Sequence, residues 1–236
     1  MRGYTTLLSH ILGSHPEISG YTETGRPYRT TRDLLGLRFA TCHHGNYKKD
    51  CTYVLDKILH NKFYISEVIL RRNDVSVIFM VREPLSTLRS VVSMPQKNRQ
   101  PHTEKEALQH YAERLKMLIE MGGRLRRNGK SAFVIRAEDL ISKTETVLRQ
   151  LATFLQLRTP LDEHYSMFNL TGTRRYGDPS SFILEGKIER RRPKHAEIKI
   201  SDPVLDEATT MYQRCLTELC NAFPQAAGAT SEAPRH

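Results

Sequence analysis

The sequence predicts an α/β fold, a mostly parallel sheet flanked by helices on both faces. Two observations carry the prediction. Residues 75–81 and 131–135 are short, nearly continuous apolar runs rich in β-branched residues, as buried parallel strands are. Helical periodicities follow each of them, and strands alternating with helices imply crossover connections between parallel strands. The 236 residues are 39% hydrophobic and 26% charged, which suits one medium-sized soluble domain. The expected division is a single domain over residues 1–223 and a disordered tail rich in Ala, Gly, Ser and Pro over residues 224–236.

The elements follow in order. A polar loop over residues 2–6 runs into a helix whose Leu7, Leu8, Ile11 and Leu12 recur at helical spacing, and Gly13 with Pro16 stops it. Residues 32–39 carry a second helical pattern, residues 52–55 a short strand or helix start, and residues 63–72 an amphipathic helix. Strand 75–81 leads into Arg82-Glu83-Pro84, where Pro84 fits the first turn of a helix over 85–92. A long amphipathic helix over 104–127, strand 131–135, a loop at 136–140 and a helix over 144–154 complete the alternation. Residues 171–201 read as a polar, basic loop (Arg174, Arg175, Lys187, then 190–194), and residues 203–223 as a final helix. A phosphate-binding loop on such a sheet normally follows a buried strand. Here the loop starts at residue 2, so the first strand is expected to be missing from the sequence.

Composition narrows the function classes. No apolar run approaches the roughly 18 residues of a membrane span, and no signal-peptide pattern opens the chain, so a cytoplasmic location is expected. Four cysteines without a Cys-x-x-Cys pair argue against a disulfide scaffold. Cys42, His43, His44 and Cys51 have zinc-ligand chemistry but not a usual zinc spacing, and no metal is expected. The net charge of +10 calls for an anionic partner. Nucleic acid would satisfy it, but stacking platforms and a recognisable nucleic-acid motif are missing; a highly charged nucleotide satisfies it as well.

The candidate chemistry lies at loop–helix junctions. A helix start presents unpaired N–H groups and the positive end of the macrodipole to an anion. Arg2, Thr5 and Thr6 would add a cation and two hydroxyls there, although Thr5 or Thr6 taken alone also reads as a helix cap. Ligands of open α/β sheets bind outside the carboxyl ends of the strands, which is where Arg82 falls. Ser90, eight residues on, reaches a shared phosphate only if the loop folds back; otherwise Arg82 is solvated and Ser90 lies on a helix surface.

These residues resemble a known family. Arg2-Gly3-Tyr4-Thr5-Thr6-Leu7-Leu8 is similar to the 5′-phosphosulfate loop of PAPS-dependent sulfotransferases of bacterial type, with Gly3-Tyr4 replacing that family's Ser-Gly pair. The run Val81-Arg82-Glu83-Pro84, with Ser90 eight residues after the arginine, resembles its 3′-phosphate element. The resemblance implies a P-loop-like architecture, PAPS as donor, PAP as product, a hydroxyl- or amine-bearing acceptor, and no metal. It implies that Arg2, Gly3, Tyr4, Thr5, Thr6, Arg82 and Ser90 bind the nucleotide. By their spacing from Arg2 and Arg82, Glu23 and Lys57 match the catalytic glutamate and lysine of tyrosylprotein sulfotransferases. Glu23 would be the base, with Lys57 and Arg2 the cations on the transferring group. Gly186-Lys187-Ile188 resembles the element that closes over PAPS, which assigns Lys187 to the nucleotide, and Ala137 stands where a tyrosine often contacts it. The alternatives are a P-loop kinase or NTPase, whose Gly-x-x-x-x-Gly-Lys-[Ser/Thr] loop is absent from the sequence, a catalytically degenerate nucleotide-binding module, and a basic nucleic-acid binder.

Overall fold

The computed structural model describes residues 4–94, 101–173, 181–190 and 195–224. Arg2, Gly3, Arg174, Arg175, residues 191–194 and residues 225–236 of the expected tail lie outside the described residues. The chain is of the α/β class. Its elements run α1 (Thr5–Ser14), β1 (Ile18–Ser19), α2 (Thr31–His43), β2 (Tyr53–Val54), α3 (Glu67–Leu70), β3 (Val77–Val81), α4 (Pro84–Val92), α5 (Glu104–Arg127), β4 (Ala132–Arg136), α6 (Ala137–Ser142), α7 (Thr144–Phe154) and α8 (Asp202–Ala222), with a 3₁₀ turn at Ser181–Glu185.

The strands form two separate parallel pairs, β1 with β2 and β3 with β4. Val77 faces Ala132 and Val81 faces Arg136 across the second pair. Residues 132–135 of β4 are buried, as their unbroken apolar run requires. Helices α5 and α8 pack on each other, with Leu125 and Leu219 buried in the shared core. Their approach is close at Gly122, where a β-carbon would lie 2.7 Å from Leu219 Cδ2.

Two expectations are corrected. The helix expected over 63–72 shrinks to Glu67–Leu70, because Tyr28 claims the preceding backbone. Tyr28 N donates to Tyr64 O at 2.8 Å and Ser66 N donates to Tyr28 O at 2.8 Å, so cross-chain pairing overrides the periodicity. Residues 136–140, expected as a loop, turn straight into α6 at Ala137. Glu138 and Asp139 in its first turn favour that start through the helix dipole.

Candidate functional site

Helix α1 begins at the point the rest of the site is built around. Its N-cap residue, Tyr4, is left-handed (φ 55°, ψ 13°), a conformation that crowds any side chain but is free for glycine. Among the described residues Tyr4 provides no side-chain cap and no acidic residue occupies the first turn, so the positive dipole end faces the position an anion would take. Ser9 Oγ holds the next turn in place, its single proton shared between Tyr21 O at 2.6 Å and Thr6 O at 2.9 Å.

Two cations converge on this start from different strands. Lys57, three residues beyond β2, is buried, with 7% of its surface exposed; its Nζ lies 3.4 Å from Thr6 Oγ1. Arg82, directly after β3, sets its guanidinium carbon 4.9 Å from the centre of the Tyr4 ring. Tyr111 Oη donates to Arg82 O at 2.6 Å, which fixes the backbone of the turn. Glu83 then caps α4, accepting from Leu85 N at 2.9 Å and Ser86 N at 2.7 Å. Glu83 N in turn donates to Glu138 Oε1 at 3.1 Å. Burial pushes the Glu138 carboxyl above its usual range, against two backbone hydrogen bonds and the neighbouring Arg82 charge.

Asp56 organises the opposite wall. It accepts from Thr24 N at 2.9 Å, Thr24 Oγ1 at 2.7 Å, Tyr28 Oη at 2.5 Å and Lys57 N at 2.8 Å. The residue after Glu23 and the backbone of Lys57 are thus tied to one carboxylate. Burial first, and then the Asp56 charge, raise the Tyr28 phenol far above its usual pKa, so it stays a donor. Glu23 itself is partly exposed, with its Oε2 3.9 Å from His60 Nε2.

His10, one helical turn beyond Thr6, was not singled out by the sequence. It is 1% exposed, with Nδ1 2.8 Å from Thr6 O and Nε2 2.9 Å from Thr171 Oγ1. A carbonyl only accepts, so Nδ1 carries the proton and Nε2 accepts from the Thr171 hydroxyl. Burial, partly opposed by the Thr6 hydrogen bond and reinforced by the Lys57 charge, lowers its pKa to about 4.

The structure therefore brings Tyr4, Thr5 and Thr6 together with Lys57 and Arg82, and ties Glu23 to Lys57 through Thr24 and Asp56. Among the described contacts none joins Ser90, buried on α4, to Arg82. Lys187 is exposed and pairs with His164, on a segment that reaches α1 through Tyr165, whose ring centre lies 5.8 Å from that of His10. Ala137 is fully buried at the start of α6. Among the described residues no three His, Cys, Asp or Glu side chains gather as a metal site, and no helix is long and apolar enough to cross a membrane. His10 and Asp56 are the site-forming residues the sequence missed. For Asp56 a signal was available, since it directly precedes Lys57, whereas the partners that define His10 come from distant segments.

No curated protein matches the chain. The sequence model of the sulfotransferase family matches residues 26–162. That span takes in Lys57, Arg82 and Ser90, and starts after the α1 loop. It covers more than half of the chain, and the chain belongs to the sulfotransferase family.

Proposed function

We propose that the chain moves a sulfuryl group from PAPS to a hydroxyl or amine acceptor, on the P-loop-like architecture of its family and in the cytoplasm, where its four free cysteines would stay reduced. One observation carries this reading. Cations from the ends of two strands, Lys57 and Arg82, meet an uncapped helix start, a cradle suited to a nucleotide with charge at both ends.

In this reading Arg2, Gly3, Tyr4, Thr5 and Thr6 hold the 5′-phosphosulfate on backbone N–H groups and hydroxyls. Arg82 and Ser90 take the 3′-phosphate, and Lys187 closes over the nucleotide. Glu23 accepts the acceptor's proton as its oxygen or nitrogen attacks sulfur. The bond from sulfur to the phosphate oxygen breaks, and PAP leaves with the electron pair. Lys57 and Arg2 stabilise the charge that gathers on the transferring group and the departing phosphate. Lys57 is well suited to this role because its buried position lets a charge act at short range with little screening.

The test is sulfuryl transfer from PAPS to a panel of phenols, sugars and amines, followed by PAP release. Glu23→Gln and Lys57→Ala should each reduce turnover, and full turnover in Glu23→Gln removes the base assignment. The Tyr4 ring against Arg82 favours a second reading, a module that binds the nucleotide without transferring from it. Tight PAP binding with no transfer to any acceptor would mark that case.

A further inference from the structure

Parallel register sets two glutamates side by side at the carboxyl end of the second strand pair. Val81 faces Arg136 on the last rung of the β3–β4 ladder. Both chains then turn into helices, and the second residue after the rung is Glu83 on one chain and Glu138 on the other. Two carboxylates at a half-buried turn repel, and the fold gives them different tasks. Glu83 turns its carboxylate onto Leu85 N and Ser86 N at the start of α4. Glu138 turns Oε1 the other way and accepts from Glu83 N at 3.1 Å.

That contact has a counterpart on the same peptide. Tyr111, fully buried on α5, donates from Oη to Arg82 O at 2.6 Å. Arg82 O and Glu83 N are the two polar atoms of one planar unit, so holding both fixes its orientation. Pro84 restricts Glu83 to extended backbone, and its φ is −57° and its ψ 152°. On the other side, Val81 is tied into the ladder. The Cα–Cβ direction of Arg82 is therefore set by its surroundings, and the guanidinium carbon arrives 4.9 Å from the centre of the Tyr4 ring. Burial pushes the Glu138 carboxyl up. A proton on Oε2 leaves Oε1 an acceptor, so the hold on Glu83 N does not need the charge, and glutamine reproduces it.

We propose that Tyr111 and Glu138 are positioning residues for 3′-phosphate recognition: from α5 and α6 they clamp the Arg82–Glu83 peptide and so aim Arg82. Neither residue touches the nucleotide, and each acts through Arg82. A guanidinium aimed before the ligand arrives loses less freedom on binding than one on a loose turn. The ligand named here rests on the nucleotide reading of the site, whereas the clamp is a matter of geometry. Its signature is selective. A loosened Arg82 weakens the contact that separates PAP from AMP and leaves the 5′ end of the nucleotide, at the start of α1, as it was.

The experiment measures PAP and AMP dissociation constants for the native chain, Tyr111→Phe, Glu138→Ala and Glu138→Gln. A second readout uses no nucleotide: the NMR signal of the Arg82 side-chain Nε–H, shifted by the Tyr4 ring and assigned by its loss in Arg82→Lys. Tyr111→Phe and Glu138→Ala should each shrink the preference for PAP over AMP by about tenfold or more, the share of one charge-assisted contact. AMP binding should stay within about twofold, the Arg82 signal should move towards that of a free arginine, and Glu138→Gln should behave as the native chain in both readouts. Tyr111→Phe keeps the buried ring, so it decides the matter if Glu138→Ala fails to fold. An unchanged preference with an unmoved Arg82 signal overturns the proposal. Equal losses of PAP and AMP with the signal in place also overturn it, because the two residues would then support only the fold. If the native chain does not prefer PAP to AMP, the nucleotide reading fails. The Arg82 signal then decides the clamp alone: displaced in Tyr111→Phe and Glu138→Ala but not in Glu138→Gln it stands, and unmoved it falls.

Discussion

His10 makes the interior of the site sensitive to acid, and the size of the effect follows from its surroundings. Its pKa is lowered from 6.5 to about 4 because the charged ring would sit among the Tyr21, Tyr165 and Phe168 rings, with Lys57 nearby. The unfolded chain binds this proton near pH 6.5 and the folded chain only near pH 4. The unfolded state therefore holds more protons in this window, and stability falls as the pH drops through it. A difference of about 2.5 pH units corresponds to about 3 kcal/mol, lost progressively from about pH 6.5 to about pH 4. Urea unfolding midpoints measured every half pH unit, in the native chain and in His10→Gln, isolate this contribution from the carboxylates that titrate in the same range. Glutamine fills a similar space and hydrogen-bonds without titrating. The native chain should lose more stability than His10→Gln over the window, and the two curves should be parallel above pH 7. Equal losses in both chains would refute the argument, because His10 would then be protonated in the folded state without penalty.

Other consequences concern the loop and its supports. Tyr4 is left-handed, so Tyr4→Gly should unfold about 1 kcal/mol harder than Tyr4→Ala; thermal melts showing alanine equal or better would contradict that conformation. Gly20 has φ +93°, and a β-carbon there would meet Leu55 O at 2.4 Å, so Gly20→Ala should destabilise by about 2 kcal/mol or more, read as a lower urea midpoint. Lys57→Met keeps most of the buried stem but removes the charge. It should cut turnover about 10²–10³-fold with a small change in Tm, and a turnover within about threefold of the native chain would remove Lys57 from the chemistry.

Much of this was legible in the sequence for specific physical reasons. The apolar run at 75–81 and the Pro84 that follows it determine strand, turn and helix locally, and β3 and α4 fall within or beside those bounds. Capping and periodicity likewise settle α5, whose Thr103 and Glu106 form a reciprocal capping box. The start of α1 was legible as a helix start, but its left-handed Tyr4 was not, because the propensity of tyrosine argues against φ > 0. That conformation gives a reason for the glycine the family loop carries: the left-handed position favours a residue without a β-carbon, and Tyr4 occupies it at a cost. Residues 63–66 could not be read locally, since their state depends on Tyr28, more than thirty residues earlier. His10 was hidden for a related reason. A histidine on an apolar helix face has no signature until Thr171 and three aromatic rings close around it.

The central claim is that Arg82 and the start of α1 hold a nucleotide bearing a 3′-phosphate. A thermal-shift titration with PAP, using AMP and ATP as controls, tests it most directly. At about 100 times its dissociation constant a ligand adds roughly 2.7 kcal/mol, or about 5–11 °C for a domain of this size. The account predicts a rise with PAP that AMP and ATP do not match and that Arg82→Ala abolishes. Equal shifts with all three nucleotides, or a PAP shift that survives Arg82→Ala, would contradict it.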